Sequence, residues 1–272
     1  MSPLGIGRLA GKTAVVTGAG GAPDLLGVGA AIAALFAREG ANVALLDISA
    51  ERAAHTQDVI AEAGGVSEVF QVDITNHEAC IQALADCAAR FGGVDILVNN
   101  AALYANPSMG EDEAGVRRLM DVNLFGTMNM TEAARPHLAK GGRGAILNIG
   151  SIVGLRGVHG PAYSASKGAT AAYTRATAHL FGREGIRVNY IAPGHIVAPQ
   201  SAAADAKTRN LLRNANLLGV EGDARDVAEA ALFLASDAAR FITAVVLPVD
   251  GGVTATTPSG MAYAILQSAS ED

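Results

Sequence analysis

Thr13-Ala14-Val15-Val16-Thr17-Gly18-Ala19-Gly20-Gly21-Ala22-Pro23-Asp24-Leu25-Leu26-Gly27-Val28-Gly29 is the stretch on which the fold turns. It opens with a β-branched run, passes through a glycine-rich turn and leads into the apolar-periodic segment Val28–Glu39. A strand, a glycine turn and a helix in that order bring free N–H groups and the positive end of a helix dipole to one spot, a seat for a pyrophosphate. A glycine-rich loop alone proves little, because turns use glycine for conformational reasons. Its context strengthens it. Asp47 lies 18 residues beyond Gly29, directly after a second apolar run, where a carboxylate can accept from both hydroxyls of a ribose. Taken singly, Asp47 also reads as a helix N-cap or a solvated strand end.

Outward from that stretch, short β-branched runs alternate with longer alanine-rich ones. Strands are predicted at Thr13–Thr17, Asn42–Asp47, Val66–Val72, Ile96–Asn99, Ala145–Ile149, Arg187–Ile191 and Ala244–Val249. Helices are predicted at Val28–Glu39, Ala50–Ala63, His77–Arg90, Gly115–Leu138, Ala162–Arg183 and Asp223–Ala235. Several strands are continuous apolar runs, as in Val43-Ala44-Leu45-Leu46. Strands buried on both faces look like that, so the expected fold is α/β: a Rossmann-type, doubly wound parallel sheet of about seven strands flanked by helices. Gly141–Gly144 and Gly251–Gly252 read as turns rather than linkers. The expectation is one domain over residues 1–272, with a core of about 9–252. Gln200–Leu218 reads as a mobile helical lid. Residues 253–272 form a tail whose Met261, Tyr263, Ile265 and Leu266 suggest docking on a neighbour.

Composition narrows the function classes. Half of the 272 residues are apolar and 17% are charged, which excludes a disordered chain. Two cysteines, Cys80 and Cys87, are too few for a disulfide scaffold and read as buried thiols on one helix stripe. The net charge of −6 offers no basic face for nucleic acid. The apolar runs are too short and too interrupted to span a membrane. Met1 to Ala10 lacks the pattern of a secretory signal, so a reducing cytoplasm is expected. The histidines are scattered and no metal-ligand spacing is present.

The chemistry concentrates around Tyr163 and Lys167, spaced to share one face of the predicted helix. A free phenol titrates near 10 and is a poor base at neutral pH; lowering it to about 7 takes roughly 4 kcal/mol of preferential phenolate stabilisation. A neighbouring ammonium and a cationic nicotinamide ring supply that together. Ser151, 12 residues before Tyr163, follows the predicted strand Ala145–Ile149. Strand ends in such sheets are where ligands bind, and the hydroxyl could orient a substrate oxygen.

On these residues the chain resembles the short-chain dehydrogenase/reductase family, from about Leu9 to Gly252. The resemblance rests on Thr17-Gly18 with Gly27-Val28-Gly29, on Asp47 and Asp73, and on Asn99-Asn100-Ala101 with Asn123. Ser151, Tyr163-Ser164-Ala165-Ser166-Lys167, Asn189 and Pro193-Gly194 complete it. It implies Tyr163 as general acid/base, Ser151 as polariser of the substrate oxygen, Lys167 as holder of the nicotinamide ribose, and Asn123 in a water-mediated proton relay. The implied cofactor contacts are Thr17, Gly18, Gly20, Gly27, Val28, Asp47, Ile48, Asp73, Ile74, Asn99, Ala101, Tyr163, Lys167, Pro193, Gly194 and Ile196. It also implies a homotetramer.

The chain departs from the family at three places. Eight residues, Ala19–Leu26, stand between Thr17-Gly18 and Gly27-Val28-Gly29 where the family usually has three. Ala102 replaces a usual glycine, and Ala198 a threonine that often touches the carboxamide. Asp47 would face the extra phosphate of NADP, and two unit charges at about 4 Å repel by roughly 4 kcal/mol at an effective dielectric near 20. No Lys or Arg lies between Gly18 and Ala37 to offset this, so NAD is expected. Tyr104 and Met109 are candidate pocket walls, His159 and His195 could reach the substrate, and Arg156 could pair with a substrate acid. The expected activity is an NAD-dependent interconversion of a small-molecule secondary alcohol and its ketone, with no metal, nucleic acid or membrane. The alternatives are an NADPH-preferring ketone reductase and a non-catalytic NAD-binding sensor. An enoyl reductase fits less well, because such members space Tyr and Lys further apart.

Overall fold

The computed structural model describes residues 7–21, 26–105, 107–157, 160–197, 205–257 and 260. Seven parallel strands form one sheet. In chain order they are β1 (Thr13–Thr17), β2 (Asn42–Asp47), β3 (Val66–Gln71), β4 (Ile96–Asn99), β5 (Ala145–Ile149), β6 (Arg187–Pro193) and, last, β9 (Val246–Val249). Their spatial order is β3-β2-β1-β4-β5-β6-β9. The chain winds outward from β1 to β3, then restarts on the other side of β1 at β4. That reversal is a topological switch point, where the loops leaving two adjacent strands part and open a crevice.

Both faces of the sheet are covered. On one face lie α1 (Val28–Arg38), α2 (Ala50–Glu62) and α8 (Ala224–Ala235), contributing Ile32, Phe36, Ile60, Val227 and Leu232 to a core built on Ala14, Val16 and Leu147. On the other lie α3 (His77–Phe91), α5 (Thr127–Gly141) and α6 (Pro161–Phe181), contributing Leu84, Met130, Leu138 and Phe181 around Val15, Leu97 and Ile146. Consecutive strand residues thus feed opposite cores, which is why β1 and β4 read as unbroken apolar runs. Cys80 and Cys87 are buried free thiols in the second core, and burial pushes them up to about 11 and about 12. They stay protonated and inert.

Three local expectations need correction. The helix expected over Gly115–Leu138 is α4 (Glu113–Met120), a π turn over Asp121–Gly126, and α5. Apolar spacing does not separate a π turn from the α-helices it joins, so periodicity fuses them. The last strand begins at Val246 rather than Ala244, because Ala244 takes a positive φ of 62° and its N–H donates to Val188 O outside the ladder. The segment expected as a lid contains α7 (Ala206–Asn214), and it is followed by an unforeseen two-residue strand, β8 (Gly222–Asp223). β8 pairs with β7 (Ile196–Val197) beside the end of β6. Residues 22–25 of the inserted turn, Ala198, His159 and the apolar group of the tail lie outside the described residues.

Candidate active site

β1 ends at Thr17, whose hydroxyl donates to Val98 O (3.3 Å) and accepts from the N–H groups of Asn100 and Ala101 (3.0 Å each). This bond set holds the ends of β1 and β4 in close contact. A side chain at Gly18, which also carries a φ of +61°, would place Cβ 2.7 Å from Ala101 Cα. At Gly29 a Cβ would collide with Gly18 O and the Asn100 amide. α1 starts at Gly27 without a side-chain cap and without an acid in its first turn. A glycine cradle leading to an uncapped helix N-terminus fits a dinucleotide pyrophosphate.

Asp47 closes that cradle. Its carboxylate accepts from Gly20 N–H (2.9 Å), Ser49 N–H (2.9 Å) and the Arg52 guanidinium (2.9 Å). The Asp47 side chain is 5% exposed and Arg52 59%. The cation that sequence inspection sought between Gly18 and Ala37 therefore arrives from the first turn of α2, five residues after Asp47. It dilutes the repulsion argument against a 2′-phosphate, though an exposed arginine is screened by solvent while the buried carboxylate is held in place.

From this cradle a cavity of about 570 Å³ runs along the strand ends to Ser151, Tyr163 and Lys167. α6 opens with Pro161 in its first turn, where a missing N–H costs nothing. Tyr163 and Lys167 then fall one turn apart, and the Lys167 Nζ lies 5.7 Å from the Tyr163 ring centre. That ammonium donates to Ile149 O (3.1 Å), tying α6 to the end of β5. The Tyr104 and Tyr163 rings pack in a T-shape, with centres 5.2 Å apart.

A second phenol, fully buried under the site, organises it. Tyr190 of β6 accepts from Ser151 N–H (3.0 Å), and its hydroxyl lies 3.1 Å from Lys167 O and 3.3 Å from Ser151 O, to either of which it can donate. Ser151 and the backbone of Lys167 are thus clasped by one side chain that never reaches the cavity lining. Gly150 makes room for it: an added Cβ would fall inside the Tyr190 ring. Gly150→Ala is therefore expected to destabilise the fold by about 2 kcal/mol through overpacking and to lower turnover, read by urea unfolding and by kcat on the soluble fraction. Unchanged stability would mean the clasp gives way freely.

Burial dominates the electrostatics. It pushes the Tyr163 phenol well above its ordinary range; Tyr190 and Tyr104 add to this, and a Ser151 hydrogen bond opposes it. Burial pushes the Lys167 ammonium down to about 8. The chain alone therefore holds Tyr163 protonated, and a base at neutral pH needs added positive charge beside the phenol.

Gly18, Gly20, Gly27, Val28, Asp47, Ala101, Ser151, Tyr163, Lys167, Pro193, Gly194 and Ile196 all line this cavity, as do Tyr104 and His195. The other expected residues lie outside its lining. Thr17 acts as the brace described above. Asn99 points into the second core side, donating to Thr131 and Asn148 (3.0 and 2.9 Å). Alternation along β4 turns its side chain away from the crevice. Asp73 accepts from Thr75 and faces Arg118 at 3.7 Å. Ile74 is buried, whereas Ile48 is half exposed. Asn123, in the π turn, spends its carboxamide on both backbone groups of Leu103 (2.7 and 3.0 Å) and on Ser166 (3.2 Å). Arg156 is occupied by Thr254 O, and exposed Met109 is not part of the wall. Sequence reading missed Arg52, Tyr190, Val220 and Glu221, and it held Arg209, Leu212 and Arg213 only as part of the segment Gln200–Leu218, with no role for each. Arg52 alone left a signal, a cation five residues after an acid.

The chain matches known proteins over most of its length. A family model described as enoyl-(acyl carrier protein) reductase matches residues 21–254. The chain is 38% identical over 248 residues to 2,5-dichloro-2,5-cyclohexadiene-1,4-diol dehydrogenase of Sphingobium indicum, covering 90% of this chain and 97% of that one. It is 35% identical to an uncharacterised short-chain type dehydrogenase/reductase of Sinorhizobium fredii, covering 90% and 98%. Among solved structures, a 7α-hydroxysteroid dehydrogenase complexed with NADH and 7-oxo glycochenodeoxycholic acid superposes with a TM-score of 0.84 at 34% identity, covering 90% of this chain and 95% of that one.

Proposed function

This chain belongs to the short-chain dehydrogenase/reductase family, and from that premise we propose that it is an NAD-dependent dehydrogenase of a cyclic secondary alcohol, with Tyr163 as its general acid/base. Two of its relatives are named as dehydrogenases of ring alcohols, a cyclohexadienediol and a 7α-hydroxysteroid, and the second is complexed with NADH. The observation that carries the reading is the convergence of Ser151, Tyr163 and Lys167 on a cavity whose other end is the glycine cradle.

When bound, a nicotinamide dinucleotide supplies the hydride acceptor and, oxidised, a positive ring. Gly18, Gly20, Gly27 and the N-terminus of α1 would hold its pyrophosphate, Asp47 its adenosine ribose, and Lys167 its nicotinamide ribose. Tyr163, as phenolate, takes the hydroxyl proton of the alcohol, and Ser151 donates to the oxygen as charge develops on it. Lys167, as ammonium, favours the phenolate electrostatically. Asn123 serves as a positioning residue that holds the Leu103–Tyr104 wall against α6. The same reading includes a cytoplasmic homotetramer, whose contacts would cover apolar side chains such as Phe241, 95% exposed in the single chain. Among the described residues no helix is long and apolar enough to cross a membrane.

The test is turnover of a panel of cyclic alcohols with NAD and with NADP, followed by the absorbance of the reduced nicotinamide. Wild-type protein is expected to turn over with NAD and to bind NADH at least about tenfold more tightly than NADPH, the worth of one charge-assisted contact. Asp47→Asn should narrow that ratio, because Arg52 is then free to meet the 2′-phosphate. Equal wild-type affinities would remove Asp47 as the selector. No turnover with any alcohol or ketone would favour the binding-only alternative.

A further inference from the structure

α7 carries a cation that makes no hydrogen bond or ion pair among the described residues. On α7, Arg209, Leu212 and Arg213 face the cavity. Arg209 makes a two-pronged pair with Glu221, Nε to Oε1 and Nη2 to Oε2, both 2.8 Å. That pairing holds the Glu221 carboxyl below its usual range, with Arg213 contributing a weaker attraction. Glu221 is thus committed to Arg209. The Arg213 guanidinium makes no hydrogen bond or ion pair among the described residues, although it lines the cavity. Two cations against one acid leave a positive end in a chain whose net charge is −6.

The backbone beneath Arg213 is locked. Asn216 Nδ2 donates to Arg213 O and to Val220 O, 2.8 Å each, and Leu217 N–H donates to Gly251 O at 2.8 Å. The C-terminal end of α7 is therefore pinned beside the end of β9, while β8 pins the following turn to β7. β9 lies four strands from β1 in the sheet, about 19 Å at 4.8 Å per strand. The pyrophosphate cradle stands at the end of β1, so the anion Arg213 meets lies on the substrate side. Leu212, Val220, Ile196 and Tyr104 give the same cavity an apolar share of its lining.

We propose that the natural substrate carries a carboxylate or similar anion on an apolar ring body, remote from the reacting hydroxyl, and that Arg213 binds that anion. This rests on the dehydrogenase reading for the hydroxyl end alone. Arg209 is a positioning residue that keeps Glu221 away from the anion.

The test has a binding arm and a turnover arm. Cyclohexanecarboxylate and its neutral carboxamide are titrated by calorimetry into the NADH-loaded protein. The acid is expected to bind about tenfold more tightly, and Arg213→Gln to bring the two together. Arg213→Lys should recover part of the difference, and Lys207→Gln, on the same helix outside the cavity, should retain all of it. In the turnover arm, kcat/KM for 4-hydroxycyclohexanecarboxylate over its methyl ester follows the same pattern. Equal or absent binding of acid and amide by wild type overturns the proposal. So does a tenfold rise in the NADH dissociation constant of Arg213→Gln with the acid preference intact, which would assign Arg213 to the cofactor. Charge-selective binding without turnover would sink the dehydrogenase reading and keep the anion site. Turnover without charge selection would do the reverse.

Discussion

Tyr163→Phe is expected to lower kcat by about a thousandfold, within the range that a positioned acid/base contributes. The NADH dissociation constant should change by less than about twofold, because the ring, its contact with Tyr104 and the cradle all remain. The change is local. The hydroxyl is the only group removed, and burial already keeps it protonated in the chain alone. Its work as a base therefore depends on charge assembled around it. The wild-type oxidation rate should rise with pH as the phenol ionises in the loaded enzyme, and the variant's residual rate should be flat. Stopped-flow rates and a fluorescence titration of NADH decide this. Residual turnover within tenfold of wild type would move the acid/base role to another group.

Lys167→Met is expected to remove activity and to strengthen the cofactor-free fold. Loss of the ammonium should lower kcat by about a hundredfold or more. Burial moves Lys167 from 10.5 down to about 8, a penalty of about 3 kcal/mol on the charged form. Below pH 8 the folded and unfolded chains both carry the proton, and the folded chain bears the whole penalty. Between pH 8 and 10 the unfolded chain still holds a proton that the folded chain has released, so stability gained from this group rises with pH. Above that window the buried tyrosines oppose it, because their folded values lie above the ordinary one. Methionine fills similar volume without charge but leaves Ile149 O without its donor. A net gain of about 1–2 kcal/mol at pH 7 should remain, and the wild-type rise between pH 8 and 10 should be absent. Urea unfolding at pH 7 and pH 9.5 measures both. A variant less stable than wild type at pH 7 would show that the ammonium is well solvated by the fold.

Much of the architecture was legible because its signals are local. β1, β2, β4 and β5 are continuous apolar runs whose length and turn residues mark them without reference to neighbours, and their bounds match the sequence reading. The placement of Tyr163 and Lys167 on one face of α6 was legible for a similar reason, since one helical turn is set by sequence spacing. Asn123 shows the limit. The π turn that carries it has no periodicity of its own, and its carboxamide is engaged by Leu103 and Ser166. Asn99 shows another: a motif neighbour of the crevice turns inward because β4 alternates.

By itself the sequence determined the layering of the sheet, the glycine turn, and the spacing of Ser151, Tyr163 and Lys167, all consequences of short-range backbone periodicity. Only the tertiary structure decided which distant groups meet there. Tyr190 reaches Ser151 across 39 residues, Arg209 reaches Glu221 across 12, and Arg52 folds back onto Asp47 beside Gly20. These contacts depend on strand order and helix packing, which bring together side chains whose spacing along the chain carries no pattern.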